Sequence, residues 1–188
     1  MINKAIAYAV KAHEGQLRKG TTLPFIVHPL EVGVIVSRMT DDKEVIAAAI
    51  LHDTVEDCDT VAFQDIRREF GDKVADIVKA ESVEKGGSWT ERKGRTLKRL
   101  YEEKVSDSKI VALGDKLSNA RSLRRDYEQL GDDLWLRFNM KDKRMQALYY
   151  KGLCDSMKDM DAFPEYQEFC NLVSYVFGDV IAAVQKDR

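Results

Sequence analysis

The three histidines of this 188-residue chain all occur within its first 52 residues. They are His13, His28 and His52, and the last of them begins the dipeptide His52-Asp53. His28 follows an apolar segment and precedes a proline, whereas His52 ends the apolar run 48–51. Imidazoles in such contexts, with a carboxylate beside one of them, are typical of a metal centre rather than of scattered surface chemistry.

Further acidic side chains follow His52 at helical spacing. Glu56 and Asp57 come one turn after His52 and Asp53, so in a continuous helix the two pairs stack on one side. Such a cluster beside a buried apolar run is costly without a compensating cation, because like charges repel and burial removes their hydration. A divalent metal would remove that conflict.

Two more residues complete a ligand set. His28 supplies a second imidazole, and Asp115 is a later acid that stands within an apolar helical stripe. Two imidazoles and two carboxylates form a mixed nitrogen and oxygen field, which suits Mn²⁺ or Fe²⁺ and tolerates Zn²⁺ or Mg²⁺. The ion would acidify water and neutralise phosphate charge, while Glu56 or Asp57 would orient or deprotonate the attacking water.

Three of these assignments have structural alternatives. Asp115 pairs with a cationic neighbour such as Lys116 if it lies at the helix surface. Glu56 and Asp57 form a solvated acidic helix end in the simpler interpretation. His13 is interpreted as a buried or capping residue, because the ligand set is complete without it.

Apolar residues at three- and four-residue steps predict that the helices holding these residues continue along almost the whole chain. A first helix is predicted to end near Gly15 or Gly20, and Pro29 suits the first turn of a second. Asp42 is an N-cap residue for a third helix, predicted from Lys43 to about Glu56. We therefore expect an all-α fold.

The remaining elements are predicted from the same periodicity. Helices are expected at 62–70, 72–80, 96–104 and 107–129, followed by two amphipathic helices in an aromatic-rich tail. The glycine-containing segment 84–94 is predicted to be a mobile loop. The aromatic residues of the tail are interpreted as core or as a homodimer surface rather than as a cofactor site.

Composition limits the class of protein. A mass of 21.4 kDa favours one domain. A net charge of -2 argues against bulk electrostatic binding of nucleic acid. Neither a signal peptide nor an apolar stretch long enough for a membrane span is apparent. The three cysteines lie far apart and form no CxxC motif. This pattern predicts that they are reduced thiols in a cytoplasmic protein.

The order of the candidate ligands resembles that of the HD phosphohydrolase superfamily. Further similarity, to the hydrolase domain of RelA/SpoT proteins and to the small alarmone hydrolases, lies in the segments AHEGQLRKG (12–20), PFIVHP (24–29), LHDTVED (51–57) and EFG (69–71). The resemblance covers roughly residues 1–125 and implies a single HD domain with a helical extension at about 126–188. It also implies Mn²⁺-dependent removal of the 3′-pyrophosphate from (p)ppGpp, giving GDP or GTP and pyrophosphate, in the stringent response.

The resemblance also implies roles for individual residues. The positions that match the family's metal ligands are His28, His52, Asp53 and Asp115, and those that match its catalytic acidic pair are Glu56 and Asp57. The residues that match its nucleotide contacts are Arg18, Lys19, Asn119 and Ser122, with Arg121 as a further candidate. A guanidinium such as that of Arg18 suits stacking on guanine, and a lysine ammonium suits phosphate. In the structural alternative, Arg18 and Lys19 belong to a helix C-terminus.

This chain departs from the family pattern in two places. The usual ADRLHNMRTL is here GDKLSNARSL (114–123), which places Ser118 where the family has histidine. The segment that follows Gly71 also differs. Two alternatives therefore stay open: an HD enzyme acting on NADPH or nucleoside triphosphates, and a non-catalytic nucleotide-sensing module.

Overall fold

The computed structural model describes residues 1–82 and 86–186. The chain divides into two compact units, one made of residues 1–84 and 106–118 and the other of residues 85–105 and 119–188. The expectation of a single HD domain, with its core at about 1–125 and a helical extension at about 126–188, stays a prediction.

Helices account for most of the described residues, which confirms the all-α prediction. They are α1 (Ile2–Ala12), α2 (Val27–Val36), α3 (Lys43–Leu51), α4 (Thr54–Asp57), α5 (Phe63–Phe70), α6 (Asp72–Glu81), α7 (Trp89–Glu102), α8 (Asp107–Leu130), α9 (Lys143–Ser156) and α10 (Pro164–Lys186). Two 3-10 helices, Gly131–Arg137 and Lys158–Met160, flank α9. None of the described helices is long and apolar enough to cross a membrane.

Helix α3 forms the centre of the first unit. Its residues 45–51 are all apolar and all buried, and they pack against α1, α2 and α6. Burying a Val, Leu or Ile side chain contributes about 1.5–3 kcal/mol, so this helix is held chiefly by its surroundings. Its start is fixed locally, because the Asp42 carboxylate accepts a hydrogen bond from the Glu44 amide at 2.8 Å.

Two glycines allow the helices of the first unit to approach closely. A Cβ atom at Gly33 would lie 2.6 Å from Cγ1 of Ile50, and one at Gly114 would lie 2.7 Å from Cγ2 of Val36. Helix α2 therefore lies tightly against both α3 and the first part of α8. This packing brings together the three helices that carry or precede the predicted ligands.

The third helix is shorter than its periodicity predicts. It ends at Leu51, and a turn at His52 and Asp53 separates it from the single-turn helix α4, so the prediction of one helix to Glu56 was wrong. Side chains compete for the carbonyl groups at its end. His52 Nδ1 lies 2.8 Å from the Ala49 carbonyl oxygen, and the Thr54 hydroxyl donates to that of Leu51 at 2.7 Å.

The first helix ends near Gly15, as the sequence predicts. Helix α1 stops at Ala12, and Gly15 follows with a φ of 77°, a left-handed conformation typical of a residue just beyond a helix. A short pairing of Leu17 with Pro24 then closes a turn. The alternative in which Arg18 belongs to a helix C-terminus was therefore wrong.

In the second unit, the segment predicted as a loop is partly helical. Helix α7 begins at Trp89, because Ser88 and Glu91 form a capping box in which each side chain meets the other's main-chain amide. Residues 83–85 lie outside the described residues. The capping box was visible in the sequence as Ser-x-x-Glu, but the preceding glycines obscured it.

The aromatic tail forms a core within the second unit. Trp135 lies in the first 3-10 helix, ahead of α9, and its ring centroid is 5.3 Å from that of Phe177 on α10. Tyr150 on α9 stacks on the same phenylalanine at 5.3 Å. The interpretation of these aromatic residues as core is confirmed, while the homodimer surface stays a prediction.

Candidate metal centre

Four side chains from three parts of the first unit meet in one cluster. His28 lies on α2, His52 and Asp53 form the turn after α3, and Asp115 lies on α8. Both histidines and Asp115 are buried, and Asp53 is partly exposed. The structure thus brings together all four residues that the sequence predicts as ligands, including Asp115 from a distant segment.

Within this cluster, imidazole nitrogens and carboxylate oxygens alternate. His28 Nε2 lies 3.2 Å from Asp115 Oδ1 and 3.6 Å from Asp53 Oδ2. His52 Nε2 lies 3.1 Å from Asp53 Oδ2 and 3.7 Å from Asp115 Oδ1. Each imidazole therefore faces both carboxylates.

These distances fit a bound cation. Ligand atoms about 2.1 Å from one ion, at angles of about 90–110°, lie about 3.0–3.4 Å apart. The observed separations of 3.1–3.7 Å require a contraction of only a few tenths of an ångström. His28, His52 and Asp53 each offer a ligand atom within 4.8 Å of the others. The cluster can accommodate a divalent metal ion.

The protonation of His52 points to the same conclusion. Its Nδ1 atom must donate to the Ala49 carbonyl oxygen, which can only accept. In the neutral ring, Nε2 then carries a lone pair, and this buried atom makes no hydrogen bond of normal geometry within the described structure. A lone pair that faces two carboxylates needs a positive charge between them, either a proton or a metal ion.

The charges of the cluster depend on one another. Burial alone would lower the pKa of His52, but Asp53 and Asp115 outweigh it and raise that pKa well above the usual value. Burial alone would raise the pKa of Asp115, but Lys116 and the two imidazoles lower it well below its usual range. A metal ion would therefore displace protons on binding, so its affinity should rise with pH.

Asp115 pairs with Lys116 but does not lie at the helix surface, so the surface alternative was wrong. Its Oδ2 accepts from the Lys116 ammonium at 2.5 Å, as expected for a carboxylate with a cationic neighbour. Its Oδ1 nevertheless points to His28 and His52, and the residue is buried. The two oxygens of one carboxylate thus serve an ion pair and the cluster at the same time.

His28 is oriented by side chains rather than by the main chain. Its Nδ1 atom lies 2.8 Å from the hydroxyl of Ser118, and that hydroxyl donates to Glu31 Oε2 at 2.8 Å. Ser118 is fully buried. The sequence singled out Ser118 as a departure from the family pattern, but nothing in the sequence indicated Glu31.

The acidic pair lies on α4, beside the cluster. Glu56 and Asp57 have exposed side chains. The Asp57 amide donates to the Asp53 carbonyl oxygen at 2.9 Å, so Asp57 lies one turn after Asp53 even though the helix is broken after Leu51. Desolvation by the surrounding chain, followed by the negative charges of Asp53 and Glu56, raises the pKa of Asp57 to about 6. A carboxylate with such a pKa is suited to exchange protons near neutral pH.

Gln16, a residue missed by sequence reasoning, holds the main chain at Asp57 and is itself in contact with His13. The Gln16 amide donates to the Asp57 carbonyl oxygen at 2.8 Å, and Gln16 Oε1 lies 2.8 Å from His13 Nδ1. His13 is buried, and burial lowers its pKa. Its interpretation as a buried histidine outside the ligand cluster agrees with this position. Gln16 belongs to the motif 12–20, which was the available signal.

The predicted nucleotide contacts are divided between the two units. Arg18 and Lys19 are in the turn after α1, where the Arg18 guanidinium lies 5.6 Å from the centre of the Phe25 ring. Lys19 is exposed. Asn119, Arg121 and Ser122 belong to the second unit, in which Arg121 forms a bidentate ion pair with Glu168 at 2.7 and 2.8 Å. Their roles in substrate binding stay predictions.

Known proteins resemble this chain over most of its length. The HD-domain family matches residues 5–142. A guanosine-3′,5′-bis(diphosphate) 3′-pyrophosphohydrolase of Aquifex aeolicus is 35% identical over 126 residues, which cover 65% of this chain and 18% of that protein. The chain spans less than a fifth of the length of the curated relatives that it matches first.

Two solved structures share the fold. The protein lmo0812 of Listeria monocytogenes has a TM-score of 0.73 and 32% identity, covering 80% of this chain and 99% of that one. A metazoan ortholog of SpoT, described as hydrolysing ppGpp and acting in starvation responses, has a TM-score of 0.73 at 23% identity, covering 95% and 94%. With the family match over residues 5–142, these similarities show that the chain belongs to the HD-domain family.

Proposed function

We propose that this protein is a metal-dependent phosphohydrolase that removes the 3′-pyrophosphate from ppGpp or pppGpp, giving GDP or GTP and pyrophosphate. The observation that carries the proposal is the alternation of two imidazole nitrogens with two carboxylate oxygens at 3.1–3.7 Å, next to an acidic residue whose pKa is about 6. The pyrophosphohydrolase name of the Aquifex aeolicus relative supports this choice of substrate.

The ligands would be His28, His52, Asp53 and Asp115, and we propose Mn²⁺ as the resident ion. A mixed nitrogen and oxygen set favours Mn²⁺ or Fe²⁺ over ions that prefer thiolate or purely oxygen ligands. When bound, the ion would neutralise phosphate charge and make water more acidic. Zn²⁺ and Mg²⁺ are the alternatives to be compared.

The acidic pair would handle the proton of the attacking water. Asp57, with a pKa of about 6, is mostly ionised at neutral pH and can accept that proton, while Glu56 would orient the water. Because Gln16 holds the Asp57 carbonyl, the main chain at the base is fixed even though its side chain is exposed. Arg18 would stack on the guanine and Lys19 would contact a phosphate.

A substrate panel tests the proposal. The purified protein, stripped of metal and reloaded with Mn²⁺, would be given ppGpp, NADPH and nucleoside triphosphates in parallel, with pyrophosphate and phosphate measured separately. We expect pyrophosphate from ppGpp, with a higher kcat/KM than for the other compounds. A preference for NADPH or nucleoside triphosphates would replace the substrate but keep the enzyme class. Binding of ppGpp that raises the Tm without any turnover would instead indicate a nucleotide sensor.

A further inference from the structure

Two imidazole groups of the cluster are held in different ways. Nδ1 of His52 is fixed by a main-chain carbonyl, that of Ala49, at 2.8 Å. Nδ1 of His28 is fixed by a side chain, the hydroxyl of Ser118, at 2.8 Å. Only the second contact can be altered by a substitution elsewhere in the chain.

The direction of the hydrogen bonds around Ser118 follows from the groups involved. An ionised carboxylate can only accept, so the single hydroxyl proton of Ser118 is donated to Glu31 Oε2, 2.8 Å away. The hydroxyl oxygen then accepts from Nδ1 of His28. This leaves the lone pair of His28 on Nε2, the atom that faces Asp53 and Asp115.

We propose that Glu31 and Ser118 are positioning residues that set the tautomer and orientation of His28, and through it the metal affinity of the cluster. This inference rests on the proposed metal site. Ser118 would fix the ring, and the negative charge of Glu31 would polarise the hydroxyl so that it accepts more strongly. Partners of this kind, one contact removed from the metal, typically change metal affinity by about 10- to 100-fold when they are removed.

The positions of Ser118 and Glu31 indicate that these residues do more than fill space in the core. Ser118 is fully buried on α8, so a hydroxyl there needs partners, and an alanine would fill the same space more simply. Glu31 lies one turn after His28 on α2 and reaches Ser118 across the close approach of α2 and α8. Helices α2 and α8, which carry His28 and Asp115, are therefore also linked by the hydrogen bond between Glu31 and Ser118.

The test is a double-mutant cycle on metal affinity. Mn²⁺ binding to the metal-stripped full chain would be measured by calorimetry for the wild type, Ser118→Ala, Glu31→Gln and the double variant. We expect Kd to rise about 10- to 100-fold in Ser118→Ala and less in Glu31→Gln, which keeps the shape but loses the charge. In the double variant, Glu31→Gln should add little to Ser118→Ala, because Glu31 acts through the hydroxyl.

Controls separate this effect from general damage. Ser37→Ala removes an exposed hydroxyl from the end of α2, and Glu44→Gln removes a charge at the start of α3; both should leave Kd unchanged. The helical circular dichroism and Tm of each metal-free variant check folding. If Ser118→Ala destabilises the metal-free protein, the half-exposed Glu31→Gln still measures the contribution of the charge.

The outcomes are distinguishable. A wild-type protein that binds Mn²⁺ with the same Kd as Ser118→Ala would overturn this inference and leave the proposed function intact. Full additivity of the two substitutions would also overturn it, because Glu31 would then act by another route. A wild-type protein that binds no divalent ion would overturn the proposed function together with the inference.

Discussion

The cluster of His28, His52, Asp53 and Asp115 differs from the acidic pair beside it in how far its side chains are buried. In the cluster, His28 and His52 are almost fully buried, and each has its Nδ1 atom fixed by a hydrogen bond. Glu56 and Asp57 instead lie exposed on a helix of one turn, and Arg18 lies partly exposed in the turn after α1. The difference is one of burial: the residues that we propose as metal ligands are packed within the first unit, whereas the acidic pair that we propose to act on water faces solvent.

The largest effect is expected within the cluster. Asp53→Ala removes one of the two carboxylates that face both imidazoles, so bound metal and hydrolysis should both fall below detection. Metal content and turnover would be measured on the same preparation. Asp59→Ala, which removes an exposed carboxylate from the same segment, should retain both. A full complement of tightly bound metal in Asp53→Ala would show that Asp53 is not a ligand.

The exposed acids should behave differently. Asp57→Asn and Glu56→Gln are expected to keep the metal but to lower kcat by about 10²- to 10⁴-fold, because proton transfer is impaired while the ligands stay in place. Metal content together with steady-state kinetics tests this, with Asp59→Asn as the matched control. Full turnover in both variants would refute the proposed roles of Glu56 and Asp57 in activating water.

The pH profile gives a smaller but more specific effect. As the pH falls through about 6, Asp57 takes up a proton and can no longer accept one, so kcat/KM should decrease on the acid side. A bound cation lowers that pKa, because positive charge favours the carboxylate, and the acid limb is therefore expected at or below about pH 6. The limb should flatten in Asp57→Asn. An unchanged limb in this variant would assign it to another group.

The smallest effect is expected for Arg18, in the turn after α1. Arg18→Ala should raise KM roughly fivefold and leave kcat nearly unchanged, because stacking of a cation on an aromatic face contributes on the order of 1 kcal/mol. Lys11→Ala, an exposed change on α1, is the control. An unchanged KM in Arg18→Ala would refute stacking on the guanine and would leave its contact with Phe25 as its main role.

The comparison also explains which features were predictable from the sequence. The burial of the proposed ligands could be predicted because each stands beside an apolar run, as His52 does after residues 48–51 and Asp115 does within α8. The break after Leu51 was not predicted, because it depends on His52 and Thr54 taking carbonyl groups that a helix would use. Helical periodicity carries no information about that competition.

Contacts between distant segments of the chain were also not predicted from the sequence. Ser118 and Glu31 meet because Gly114 lets α8 approach α2 closely, and Gln16 meets the Asp57 carbonyl only after the chain turns back at Gly15. Neither pairing follows from local propensity. Arg121 illustrates the same point, since its partner Glu168 lies far along the chain on α10.

The proposed ligands come from segments that begin at residue 28 and end at residue 115, so one ion would join these segments in addition to packing and to hydrogen bonds such as that between Ser118 and Glu31. An ion that binds only the folded chain stabilises it by about 2.7 kcal/mol when its free concentration is 100 times Kd. The thermal stability of the first unit would then follow the supply of metal. Depletion of the metal would shorten the lifetime of the protein as well as stop its chemistry.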